Sequence, residues 1–109
     1  MTARARPVTA ALLLALVSAA PSQAQGDGDP AAGHDFAGKI CAQCHGIEKG
    51  YQPSPEPFAP TFEAIANTPG MSPMALSVFL QTPHATMPNL VLTATERANI
   101  IAYITSLKK

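Results

Sequence analysis

Cys41, Cys44 and His45 form the spacing C-x-x-C-H in the middle of this 109-residue chain. Side chains three and four residues apart share one face of a helix, about 5–6 Å from each other. Two thiols and an imidazole that converge in this way can form two thioether bonds with the vinyl groups of a porphyrin and provide a ligand to its iron. Because this spacing is the attachment motif of c-type haem, it predicts covalent attachment through both cysteines with His45 as an axial ligand.

Three other uses of these residues fit the rest of the sequence less well. A redox-active dithiol is expected beside a βαβ pattern, and no strand-rich segment precedes Cys41. A zinc site needs four ligands, so His34 and His84 would have to join the motif from distant segments. A disulfide between such close cysteines would close only a small loop and would therefore stabilise little.

The N-terminal segment has the pattern of an export signal. Two arginines precede an apolar stretch over residues 8–20, and Ser-Gln-Ala at positions 22–24 offers small residues for cleavage. The apolar stretch is shorter than the roughly 20 residues that span a bilayer. We therefore expect residues 1–24 to be a signal peptide that is removed on export to the periplasm, which leaves residues 25–109 as one domain. The alternative is an uncleaved membrane anchor.

Charge and composition exclude several functions of this domain. Residues 25–109 carry five basic and seven acidic side chains, a formal net charge of −2. No basic stripe of the kind that neutralises phosphates is present in the sequence, so we do not expect nucleic-acid binding. The sequence also has no Ser/His/Asp set, no paired carboxylates and no Gly-rich phosphate loop. We therefore do not expect an enzyme.

Short helices and proline-rich loops are predicted for the first half of the domain. Residues 25–30 are rich in Gly and Asp and indicate a flexible start, and residues 31–40 suit a short helix that leads into the haem motif. Residues 46–60 include four prolines. Such a segment cannot be a regular helix or a central strand, so it is either a structured or a mobile loop.

Capping signals mark the helices of the second half. Residues 61–67 have a short amphipathic pattern. Ser72 and Pro73 suit the N-cap and the first position of another helix, and Thr93 and Glu96 form a capping box before the last one. A loop over residues 83–93 separates these two helices, which should end near residues 81 and 107. We expect them to bury Leu76, Phe79, Leu80, Ile100, Ile101, Ile104 and Leu107.

The fold class predicted from these elements is all-α, with about four short helices. The domain has 85 residues, many of them in loops, and so little core of its own. We therefore expect the helices and the Pro-rich loops to wrap around one covalent haem rather than around each other.

From Gly33 to Leu107 the sequence resembles the class I cytochrome c family, which consists of small monohaem electron carriers. The segments GHDFAGKICAQCHGIEKG, HATMPNL and LTATERANIIAYITSL carry the resemblance. It implies the small cytochrome c fold and a methionine as second iron ligand on a loop of the C-terminal half, where Met87 matches. Met71 and Met74 compete with it. Met74 lies within a predicted helix, where methionine usually fills the core, and Met71 lacks the loop context.

The resemblance also implies roles for residues around the haem. Gly33 would lie where the first and last helices cross, opposite Tyr103. The Pro60 carbonyl would accept the imidazole N–H of His45. His84 is the rival of Met87 as a ligand, because histidine binds haem iron. We expect His84 to be an exposed loop imidazole instead, and His34 to lie at the surface.

The function that the resemblance implies is periplasmic one-electron transfer through one haem c ligated by His45 and Met87. Its partners would be redox proteins that donate and accept the electron, and the protein would be a monomer or a small subunit of a complex. Two alternatives stay open. The chain could be the dedicated electron-accepting subunit of a periplasmic dehydrogenase, or a haem sensor whose sixth ligand is displaceable.

Overall fold

The computed structural model of the protein describes Thr2 and residues 28–50 and 52–109. In this part of the chain, helices are connected by irregular segments. The predicted signal peptide, apart from Thr2, lies outside these residues. The elements in chain order are α1 (Pro30–Ile40), a 3₁₀ turn (Cys41–Gln43), α2 (Phe62–Ala66), α3 (Pro73–Gln81) and α4 (Ala94–Ser106). No strand occurs in the part described, so the all-α prediction is confirmed. None of the described helices is long and apolar enough to cross a membrane.

The predicted helix starts are confirmed at α3 and α4. The Ser72 hydroxyl accepts a backbone N–H of α3 at 3.1 Å, and Thr93 and Glu96 form both bonds of the capping box. The start of α1 was predicted wrongly. Residues 29 and 30 belong to the ordered start of the helix, because the Asp29 carboxylate caps it and Pro30 occupies its first turn. Proline is tolerated there because the backbone N–H groups of the first turn have no partner within the helix.

Helices α1 and α4 cross at Gly33. An added Cβ there would lie 2.0 Å from the Asn99 carbonyl oxygen and 2.9 Å from the Tyr103 Cβ. The glycine therefore allows the two backbones to touch, and its predicted place opposite Tyr103 is confirmed. The crossing lies within a core that comprises Ala37, Ile47, Phe62, Ala66, Leu76, Ile100, Tyr103, Ile104 and Leu107. The two helices pack directly on each other at this crossing, as the resemblance implied for Gly33.

Helix α3 buries only part of its apolar surface. Leu76 is buried and Leu80 packs partly against the core, but Phe79 is 51% exposed. The prediction that Phe79 is buried was therefore wrong. Each helical residue is rotated by about 100° from the previous one, so Phe79 points away from the core that Leu80 contacts, and its ring stacks on His84 at a centroid distance of 5.5 Å. Met74, predicted to fill the core, is 74% exposed.

Candidate haem-binding site

The haem motif forms a tight turn at the end of α1. Cys41 begins the 3₁₀ turn, and its carbonyl accepts the N–H groups of Cys44 at 3.1 Å and His45 at 2.9 Å. In such a turn, residues i and i+3 lie almost directly above one another. The helix does not continue through the motif, and the two cysteines and His45 lie on one hydrogen-bonded turn instead. Both cysteines are free and half-buried.

The imidazole of His45 is oriented by the loop that follows it. Its Nδ1 lies 2.6 Å from the carbonyl oxygen of Pro60. A carbonyl can only accept a hydrogen bond, so Nδ1 must carry the proton and donate it. In the neutral ring, Nε2 then holds the free lone pair and is the atom that can bind a metal. The expected role of the Pro60 carbonyl is confirmed.

Residues 46–50 and 52–60 of the Pro-rich loop are held by hydrogen bonds to a side chain and to the backbone. The Ser54 hydroxyl accepts the Gly46 N–H at 2.9 Å, and the Cys44 carbonyl accepts the Glu56 N–H at 3.1 Å. A Cβ on Gly46 would lie 2.6 Å from the Gln52 carbonyl oxygen, so only glycine fits at this position. Nothing in the sequence pattern indicated the role of Ser54.

Aromatic side chains connect His45 to the core. The buried Phe62 ring lies 5.6 Å from the imidazole between centroids and 6.3 Å from the Tyr103 ring. The Tyr103 hydroxyl donates to the Ile47 carbonyl at 2.7 Å. Burial raises the pKa of Tyr103, so this hydroxyl keeps its proton. Helix α4 thus holds the segment directly after the haem motif.

The state of Cys41 distinguishes among the possible uses of the motif. Burial raises the pKa of its thiol to about 11, so it is protonated at neutral pH. Reactive dithiols usually have a lowered pKa instead, because the thiolate is the nucleophile. Within residues 28–50 and 52–109, no three His, Cys, Asp or Glu side chains gather to hold a metal ion. Both observations disfavour the dithiol and zinc alternatives.

The remaining sulfur and imidazole groups lie in different surroundings. Met87 is half-buried in the irregular segment between α3 and α4, as its predicted loop position requires, and its role as ligand stays a prediction. His84 is also half-buried, not fully exposed, since it stacks on Phe79. His34 lies at the surface as expected but contacts the Glu48 carboxylate at 2.8 Å, which raises the pKa of the imidazole.

The donor chemistry of these residues fits a c-type haem. Cys41 and Cys44 provide two thiols on one turn, and His45 provides an oriented nitrogen donor. Histidine together with a methionine thioether is a common axial pair for haem iron. Met87, half-buried and on a loop without helical hydrogen bonds, provides a thioether of this type.

Comparison with known proteins supports this interpretation. Over 99 residues the chain is 38% identical to a protein named "Cytochrome c-552" from Bradyrhizobium diazoefficiens, and the match covers 89% of this chain and 90% of that protein. No family model matches the chain, and no solved structure matches it. A match over 89% of a 109-residue chain necessarily includes the haem motif at residues 41–45. With its predicted attachment motif, its all-α fold and this relative, the chain belongs to the cytochrome c family.

Proposed function

We propose that this protein is a class I c-type cytochrome that carries single electrons in the periplasm. Residues 1–24 would direct its export, and residues 25–109 would hold one haem c through Cys41 and Cys44. His45 and Met87 would be the axial ligands. The observation that carries the proposal is the 2.6 Å bond from His45 Nδ1 to the Pro60 carbonyl, because it leaves Nε2 of an otherwise ordinary loop histidine ready to bind iron.

The haem, when bound, supplies an iron that gains and loses one electron. The residues around His45 would hold the imidazole that binds this iron in one orientation. Pro60 holds the tautomer and orientation of His45, and Phe62 shields one side of the imidazole from water. Tyr103 ties the following segment to α4. Little reorganisation is therefore needed when the charge changes, and this is the requirement for a carrier rather than a catalyst.

Replacement of Met87 tests the second ligand. Met87→Ala should leave the haem attached through both cysteines and His45, but open the sixth position to water, an added ligand or His84. The reduction potential should fall, since a thioether favours the reduced iron relative to harder ligands. Absorption spectra and redox titration of the purified haem protein measure both effects.

Two other methionines provide matched controls. Met71 packs partly against the core and Met74 is mostly exposed, so Met71→Leu and Met74→Leu are volume-conserving changes that cost less than about 1.5 kcal/mol. Both variants should keep the Met–iron charge-transfer band of the parent. Loss of that band in either control, together with its retention in Met87→Ala, would contradict the assignment of Met87.

Intact-mass and haem analysis test the remaining parts of the proposal. Protein isolated from the periplasm should begin at Gln25 and have the mass of the chain plus one haem. Retention of residues 1–24 would indicate a membrane-anchored carrier. The reduced protein should not bind carbon monoxide, because Met87 closes the sixth position. Rapid binding would indicate a sensor, and co-purification with a stoichiometric partner would indicate a dehydrogenase subunit.

A further inference from the structure

Charged side chains are absent from a long internal part of this protein. Residues 64–95 are 32 consecutive positions without Asp, Glu, Lys or Arg. The segment comprises the end of α2, all of α3 and the loop that holds Met87. Every charged side chain of residues 25–109 comes before or after it. Soluble proteins usually intersperse charges of both signs over their surface, so an uncharged third of the domain is unusual.

The uncharged segment has apolar side chains on its outer side. Leu76 and Leu80 face the core, and positions two residues away on a helix are rotated by about 200°. Met74 and Val78 therefore share the opposite face, and they are 74% and 56% exposed. We call the exposed side of residues 64–95 the uncharged face.

The loop after Met87 adds another exposed apolar side chain to this segment. Val91 is 95% exposed, and it lines a cleft of about 290 Å³ together with Leu80, Gln81 and Asn89. Only Arg97, from α4, adds a charged side chain to the lining of this cleft. Exposed apolar patches are typical of interaction sites.

We propose that the uncharged face docks a redox partner whose contact surface is itself apolar and uncharged. A charged partner surface would lose its hydration on contact, and residues 64–95 offer no counter-charge in return. An apolar partner would bury Met74 and Val78 without such a cost. The inference rests on the proposed function and deepens it, because Met87, a proposed iron ligand, lies in the same segment as the exposed apolar side chains.

This mode of docking has a kinetic consequence. Complementary charges accelerate association and make its rate fall steeply with salt. Without them, the second-order rate of electron transfer should change by less than about twofold between 10 and 300 mM salt, although the Debye length falls from about 30 Å to below 8 Å over that range.

The test compares two variants of the haem-loaded protein, each with one added positive charge at a different place on its surface. Val78→Lys places it on the uncharged face, and Ala31→Lys is the matched control on the exposed side of α1. The reduced proteins are oxidised in stopped-flow experiments by hexacyanoferrate(III), a small trianion, and by detergent-solubilised extract of the organism that produces the protein. Sedimentation of each variant gives its association state, and its binding to neutral phosphatidylcholine vesicles is measured in parallel.

Opposite effects of Val78→Lys are the expected result. The new charge should accelerate oxidation by the trianion about threefold or more at 10 mM salt, and it should slow oxidation by the extract about tenfold. Ala31→Lys should change each rate by less than about twofold. The rate with extract for the parent protein should be insensitive to salt.

Several results would overturn the docking proposal while the proposed function stands. They are a steep salt dependence with extract, equal effects of the two lysine variants, a dimer of the parent that Val78→Lys dissociates, or vesicle binding that this variant abolishes. The last two would assign the face to a second copy or to a lipid surface. An extract that does not oxidise the parent protein at all would instead contradict electron carriage itself.

Discussion

Replacing Gly33 by alanine would place a methyl group against the backbone of α4. The new Cβ would lie 2.0 Å from the Asn99 carbonyl oxygen and 2.6 Å from its carbon, so the two helices would have to separate by about 1 Å or more to restore ordinary contact. Overpacking costs about 1–3 kcal/mol, and the upper end applies here because rigid backbone atoms obstruct the methyl group. Alanine gains about 1 kcal/mol over glycine in helix propensity.

The net expectation is a free energy of unfolding lower by about 2 kcal/mol. For a domain of 60–100 residues, 1 kcal/mol shifts the Tm by about 4–8 °C, so the Tm of Gly33→Ala should fall by about 8–16 °C. Gly38 on the same helix is the matched control. Its added Cβ would meet only Ile47 Cδ1, at 4.0 Å, so Gly38→Ala should raise the Tm by a few degrees.

Circular dichroism at 222 nm on the two haem-loaded variants measures both shifts. A Gly33→Ala protein that is as stable as the parent, or more stable than it, would refute the close backbone approach of α1 and α4. A fall in both variants would instead indicate that helix propensity does not govern α1.

Three further changes test individual contacts. Tyr103→Phe leaves the buried Ile47 carbonyl without its donor, so urea denaturation should show a loss of about 1–2 kcal/mol. Thr93→Ala removes the capping hydroxyl of α4 and should cost about 1 kcal/mol in the same assay. Glu48 raises the pKa of His34 above 6.5, so this contact stabilises the fold fully below that pH, and its contribution is lost as the pH rises through the raised pKa. The Tm of the parent should therefore fall relative to that of Glu48→Gln as the pH increases from 6 to 9, and parallel curves would contradict the contact.

Local signals in the sequence determined the haem motif and most helix boundaries. The C-x-x-C-H spacing depends only on neighbours along the chain, and so do the Ser72 cap and the Thr93–Glu96 capping box. Hydrogen bonds of this kind span two to four residues, so the residue types alone predict them. The resemblance to a family added the Pro60 and Gly33 contacts, which connect residues far apart in sequence.

Only the tertiary structure decided which apolar side chains lie inside and which polar side chains connect the helices. Phe79 and Leu80 are equally apolar neighbours, but α3 is rotated so that Leu80 meets the core and Phe79 does not. Asp29 caps α1, although the Gly- and Asp-rich sequence before it suggested a flexible start. The Asn99 side chain accepts the Asp29 backbone N–H at 2.8 Å, a contact that exists only because α4 lies alongside. Such outcomes depend on how helices distant in sequence are oriented, and a periodic pattern does not contain that orientation.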